Sequence, residues 1–462
     1  MIKFQLLFIV LASIFTPSIS ARESTWLYMK VENVEVVADL PEKALLTLAN
    51  DIFYFNRVIE FLLPETKRKK GENIKVLIVS STGAFREVVS GRKLGLMGFY
   101  GGLPSLKVIA LRSSYLGEQD EERTLIWGLT HEKLAPLNQK RWFVEAFASL
   151  FNSIELGKEK IKFGSINKGM SSYMKFGRNE YDISLNDVFV SDESWNAIKG
   201  NSNILAYYKA NSHFLAHYCL LGNQELTKPF LAFCEEPVPD EVHFIKHFGF
   251  NFEGLNNRLW EYAMKGEKKA FALNRSSLPQ PPTPEIRIAT ESEWKNTIIR
   301  AKFVNKDKSE ARALLDEMPQ DDPIAVETRG VLAFVHRDQQ LLLGLAEKAH
   351  NLGVDNPILQ VVAVNSRFED LMHERRSNED PKLSAVEAKA FIDQIKPSLR
   401  YYRKNLRSVS TLIRILDAAE AKVPLNLQPM FVAWEDKHSL RYPELKAALD
   451  RIRDRSNFPA ED

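Results

Sequence analysis

Cysteine is scarce in this chain. Two residues, Cys219 and Cys234, cannot build a disulfide-stapled scaffold, and no C-x-x-C spacing supports a redox or cysteine-ligated zinc site. Beyond the N-terminal segment no stretch approaches ~20 uninterrupted apolar residues, as an ordinary membrane-spanning helix needs. Charge of one sign is also missing: 62 Lys and Arg against 60 Asp and Glu leave a net charge of +2, and nothing in that balance marks a nucleic-acid binder. There is no G-x-S-x-G nucleophile elbow and no G-x-x-x-x-G-K phosphate loop. The glycine-dense stretch GLMGFYGG, residues 95–102, reads as a turn between strands.

What remains is an ordinary globular composition, 45% hydrophobic, 26% charged and 10% aromatic, over 462 residues, which is enough for two or three domains. Residues 1–20 have the layout of a secretory signal peptide: a basic start at Lys3, an apolar core from Leu6 to Phe15, and small residues at Ser18 and Ser20. Cleavage is expected before Ala21 or Arg22, with an uncleaved anchor as the alternative. The expectation is an extracytoplasmic protein, periplasmic or secreted, with no stable membrane span after cleavage. In that oxidising setting Cys219 and Cys234 form one bridge or remain as two buried thiols, and both readings stand.

The first half alternates strand and helix signals. Residues 25–39, TWLYMKVENVEVVAD, are valine-rich and alternating, as a strand or hairpin requires. A helical stripe follows over Pro41 to Leu63, then strand candidates at Ile74 to Val79 and Lys107 to Leu111. Lys67 to Lys70 reads as a solvated turn. Gly157 to Asp182 is poorly patterned and reads as a loop able to cover a cleft, after which apolar periodicity resumes at Ile183 to Phe189, Ile204 to Leu221 and Leu226 to Phe233.

The chemistry concentrates between residues 125 and 151. His131-Glu132-Lys133-Leu134-Ala135 is a His-Glu-x-x-His pattern whose last position is alanine, and Trp142-Phe143-Val144-Glu145-Ala146-Phe147-Ala148 follows as an apolar helix with one carboxylate. Two histidines one turn apart on a helix reach one metal ion, and the Glu beside the first serves as general base. The order of these segments resembles the peptidase-MA-like (gluzincin, distantly thermolysin-like) domains, which carry a pattern close to HEYTH and then W-x-x-EG-x-AEYF. The resemblance covers about Trp26 to Met264, ending on the closing-helix stretch Phe248 to Ala263. It implies His131 as first zinc ligand, Glu132 as general base and Glu145 as third ligand. Ala135 stands at the second ligand, and Ala146 and Ser149 stand where Gly and Glu are usual.

A methyl group cannot coordinate a cation, and two ligands hold zinc poorly. No cofactor is therefore expected, or zinc if the protein is active. Two further His pairs have one-turn spacing, His213/His217 and His243/His247; the first has Phe214 where a base would sit, and both read first as packed or solvent-facing histidines. Read without a metal, Glu132 is a solvated helix residue, while Glu145 inside an apolar segment needs a partner, with Arg141 and His131 the nearest candidates.

Asn274 to Pro284, NRSSLPQPPTP, reads as a linker. Beyond it the pattern is helical. Pro323 and Pro357 lie 34 residues apart, the length of a tetratricopeptide repeat; Gly330 falls where the first helix needs a small residue, Arg337-Asp338 at the turn and Ala349 at close packing. A generic helical bundle is the alternative. The expectation is thus an α+β chain: signal peptide 1–20, degenerate peptidase-MA-like domain 21–270, linker 271–288, and helical tetratricopeptide-like domain 289–462. Its expected role is non-catalytic binding or scaffolding of a peptide or protein partner. The alternative is a zinc-dependent peptidase with a substitute second ligand.

Overall fold

The computed structural model describes residues 25–63, 73–88, 98–103, 105–112, 119–134, 141–166, 168–180, 189, 198, 200–236, 240–265, 270–305, 307–377, 382–401, 406–421, 431, 435 and 442–456. Residues 1–20, Lys67 to Lys70, Ala135 and Ile183 to Val188 lie outside them. The fold is mixed: a small sheet and many helices, compatible with an α+β class. Among the described residues no helix is long and apolar enough to cross a membrane.

The alternating valines at the start form a hairpin, β1 (Leu27–Val31) and β2 (Val34–Ala38), turning through Glu32, whose φ of 54° is left-handed. After helix α1 (Glu42–Leu62) comes β3 (Ile74–Val79), every residue of which is buried. That continuous burial is what a strand covered on both faces requires. β3 lies parallel to β2 and to β5 (Leu106–Arg112), while β4 (Gly98–Leu103) pairs antiparallel with β5. Between β3 and β4 sits the short helix α2 (Thr82–Val88).

Glycines 98 to 102 were expected as a turn and instead belong to β4. A Cβ on Gly98 would lie 2.7 Å from Leu111 Cδ2, and one on Gly101 would lie 2.8 Å from Val304 Cγ1. The glycines let a neighbouring strand and a helix close against this edge, a use of strand glycine that local sequence does not separate from a turn.

Helices α3 (Gln119–Leu134) and α4 (Arg141–Phe151) follow, then β6 (Glu155–Leu156), β7 (Lys160–Phe163) and α5 (Lys168–Glu180). The stretch from Gly157 read as loop therefore holds a strand and a helix. KIKF is too short to show a period, and KGMSSYMKFGRNE carries too few apolar residues. Next come α6 (Ser202–His217) with a π turn at Tyr218–Gly222, then α7 (Thr227–Glu235), α8 (Glu241–Phe248) and α9 (Phe252–Lys265). Together with α1, α3 and α4 they bury one face of the sheet in a single aromatic-rich core. Cys219 and Cys234 lie within it as buried thiols that no disulfide joins, and burial pushes the Cys219 thiol up.

The proline-rich stretch is tied in at both ends. β8 (Phe271–Asn274) pairs with β7, and β9 (Glu285–Ile288) pairs with β1, giving the sheet order β4-β5-β3-β2-β1-β9. Helix α10 (Glu291–Val304), opened by a capping box at Thr290 and Glu293, then packs on the second face of the sheet over Tyr28, Val37, Leu77, Val108 and Ala110. From there the chain runs through α11 (Lys308–Glu317), α12 (Pro323–His336), α13 (Gln339–Asn351), α14 (Pro357–Ser377), α15 (Ala385–Tyr401), α16 (Leu406–Ala418) and α17 (Pro443–Ser456). From α12 to α16 each helix packs on the next, and α10, α12, α14 and α16 also touch in succession. Gly330 lies against Leu359, Arg337 is the left-handed C-cap of α12, Asp338 caps α13 and Ala349 is buried.

The β4–β5 hairpin tip enters this helical array. Leu106 is buried among Val331, Ile358 and Phe334, and Ser105 is hydrogen-bonded to Asn356.

Candidate functional site

Helix α3 carries the His-Glu pair and rests on the β4–β5 hairpin through Gly128. A Cβ there would lie 2.6 Å from Ile109 Cδ1 and 3.2 Å from Tyr100 Cδ2, so a larger residue would push the helix off the sheet. The hairpin register, Tyr100↔Ile109 and Gly102↔Lys107, directs Tyr100, Ile109 and Lys107 to the same face, under α3.

That register decides the surroundings of Glu132, whose side chain is only 3% exposed. The Tyr100 hydroxyl donates to Oε1, and the Lys107 ammonium lies 2.8 Å from the same oxygen. Glu132 is therefore not the solvated residue its sequence context suggests. It is a buried carboxylate held by a cation and a phenol, the pairing that makes such burial tolerable. Next to it, Lys133 turns the other way and meets Glu60 on α1 at 3.0 Å.

Trp127 lies one turn before His131. Their ring centroids are 4.0 Å apart, and Tyr100 closes the group at 5.3 Å from Trp127 and 5.6 Å from His131. The indole Nε1–H also points at Glu145 Oε2 over a long 3.5 Å. Glu145 itself is 4% exposed, in the apolar face of α4. The structure thus brings His131 and Glu145 to one place and sets a tryptophan in contact with both. Of the two expected partners of Glu145, the side chain of Arg141 lies outside the described residues, and His131 shares with Glu145 a contact to the Trp127 indole.

Two of the three expected zinc ligands, His131 and Glu145, are among the described residues. His131 and Glu145 offer one nitrogen and one carboxylate, Trp127 contributes no lone pair, and Ala135 lies outside the described residues. Among the described residues, no three or more His, Cys, Asp or Glu side chains stand gathered as a metal site requires.

The other His pairs have different surroundings. His217 Nε2 meets the Gly164 carbonyl and Nδ1 meets the Tyr262 hydroxyl, each at 2.7 Å, so the ring donates from Nε2 and accepts at Nδ1. Both nitrogens are thereby engaged. Burial pushes Tyr262 up to about 12. Burial, and then the neighbouring His217, hold His213 down at about 4. His243 and His247 lie on α8 beside Asp240 and Glu236.

Sequence reasoning missed Trp127, Tyr100 and Lys107. The i−4 spacing of Trp127 from His131 was a usable signal; the other two depend on hairpin register, which no local pattern specifies. The chain matches no protein-family model, no curated protein and no solved structure.

Proposed function

We propose that this chain is a non-catalytic relative of the zinc metallopeptidases that acts outside the cytoplasm as a peptide- or protein-binding or scaffolding module. The observation that carries the reading is the state of the two carboxylates. A general base needs a carboxylate open to a metal-bound water, whereas Glu132 is committed to Lys107 and Tyr100, and the indole of Trp127 touches both His131 and Glu145. These contacts explain how a fold keeps His131 and Glu145 with alanine at position 135: the residues serve packing and charge balance.

The helical array supports the binding half of the reading. Stacked helix pairs present extended surfaces to partners. Leu341 on α13 is 51% exposed and lines a groove of about 500 Å³ with Asp338, Gln340, Gly344, Leu345 and Lys348.

The deciding experiment pairs metal analysis with a protease assay on the full chain. Stoichiometric zinc lost on His131→Ala, or chelator-sensitive peptide hydrolysis lost on Glu132→Gln, overturns the proposal in favour of a zinc peptidase with a substitute ligand.

A further inference from the structure

The larger sheet ends on β9, and among the described residues no strand covers its outer side. Which backbone groups face that side follows from the ladder with β1. The Ala289 N–H donates to the Trp26 carbonyl at 2.9 Å, in register with the pairing Leu27↔Ile288. Bonded and non-bonded pairs alternate along an antiparallel ladder, so Glu285 and Arg287 direct their backbone groups to β1 while Ile286 and Ile288 turn theirs outward. Because the Glu285 N–H faces β1, the trans peptide before it aims the Pro284 carbonyl outward as well. The outward carbonyl of Ile288 accepts from Arg287 Nη1 at 3.2 Å.

This outer side is complementary to a second copy of itself. In antiparallel pairing centred on Ile286, each Ile286 N–H meets the Ile286 carbonyl of the other copy, and each Ile288 N–H meets the other Pro284 carbonyl. Pro284 has no N–H to return, and the Ile288 carbonyl that would receive it is the one Arg287 already holds. The side chains fit the same register. Glu285, 80% exposed, falls opposite Arg287 in a non-bonded pair, where side chains approach most closely, and the two-fold axis repeats the contact. Both Nη atoms of Arg287 hold Glu293, at 2.6 and 2.7 Å, which leaves Nε for the incoming carboxylate. On the opposite face Ile286 meets Ile286, and Ile288, 68% exposed, meets Pro284. Moving the centre one residue either way keeps the backbone pattern but sets Glu285 against Glu285 or Arg287 against Arg287. Like charges directly opposite are destabilising, so charge selects the register centred on Ile286.

We propose that the protein forms a two-fold dimer by pairing β9 with β9 of a second copy, Ile286 opposite Ile286, which joins the two sheets into one. Such an interface is isologous: each contact occurs twice. It is also short, well under the roughly 1,200 Å² of a stable assembly, so the dimer dissociates readily. The assignment does not rest on the reading of His131, Glu132 and Glu145.

The test is analytical ultracentrifugation of the purified protein over a concentration series of roughly 1 to 200 µM. Wild type shows a reversible monomer–dimer equilibrium with a dissociation constant on the order of 10–100 µM. Ile288→Pro removes an N–H that faces away from β1, a position where an edge strand tolerates proline. Glu285→Arg, at an exposed position, sets arginine against Arg287 of the other copy. Each variant weakens the dimer at least about tenfold with an unchanged circular dichroism spectrum, whereas Glu285→Asp, which keeps the charge, stays within about threefold of wild type. A wild type that is monomeric throughout the series overturns the assignment. So does a dimer that Ile288→Pro and Glu285→Arg leave intact, since its interface then lies elsewhere. Either result leaves the non-catalytic reading standing.

Discussion

Asn356 donates from its carboxamide to the Ser105 hydroxyl at 2.9 Å, joining the head of α14 to the tip of the β4–β5 hairpin. The same carboxamide donates to Glu327 Oε1 at 3.0 Å, and Glu327 in turn pairs with Arg300 on α10 at 2.9 Å. Its oxygen caps α14 by accepting from Ile358 and Leu359. Ser105 sits at a left-handed φ of 59° two residues before Lys107, so the array holds the hairpin that supplies the cation of Glu132.

Asn356→Ala is therefore expected to cost about 2 kcal/mol, combining a lost N-cap with polar groups left short of a partner. Asn356→Asp keeps the cap but places a second negative charge beside Glu327, and is expected to recover little. Chemical unfolding of the full chain measures both, and a loss under about 0.5 kcal/mol for the alanine variant would rule the clamp out.

Lys107 and Glu132 should be coupled. Lys107 is 29% exposed, which screens the pair, so Glu132→Gln is expected to lose about 1–2 kcal/mol of stability, less than a fully buried pair would. The coupling is read from a double-mutant cycle with Lys107→Met; additivity of the two changes would show the pair to be incidental.

Trp127 is expected to keep zinc out even when the motif is repaired. Ala135→His restores the fifth residue of the His-Glu-x-x-His pattern, yet the indole still lies against His131. The single variant gains no chelatable zinc beyond wild type, while Trp127→Ala/Ala135→His does. Metal analysis of the purified proteins reads the difference, and equal uptake by the two would discard the role given to Trp127.

Acid is expected to destabilise the fold through His213. Its ordinary value near 6.5 applies to the unfolded chain and about 4 to the folded one, so between these pH values the unfolded state binds a proton that the folded state does not. The contribution is whole above pH 6.5 and is lost as pH falls toward 4, up to roughly 3 kcal/mol from a shift of that size. The drop in unfolding free energy from pH 7 to pH 4.5 should shrink in His213→Asn, whereas the lowered carboxylates Glu35 and Glu293 lose their contributions only below about pH 4.5, so an identical drop in the variant would overturn the role given to His213.

Local periodicity carried much of the fold. The valines of residues 25–39 form the hairpin, the apolar run at Ile74 becomes the strand buried on both faces, and Gly330, Arg337 and Ala349 occupy the close contact, the turn and the buried position that their spacing suggested. What escaped was non-local. The pairing of β9 with β1 joins residues some 260 positions apart, and four-residue strands show no readable period. At the site, Trp127 touches both His131 and Glu145, and the meaning of Glu132 depends on Tyr100 and Lys107 across a register that sequence does not state.

The docking of β9 and α10 on the first sheet sets a limit on how the chain can be divided. A truncation ending near residue 270 would strip the lid from Tyr28, Val37, Leu77 and Val108 and bare the backbone edge of β1, leaving a sticky fragment prone to self-association. The proline segment marks a bend in the path and makes a poor place to cut.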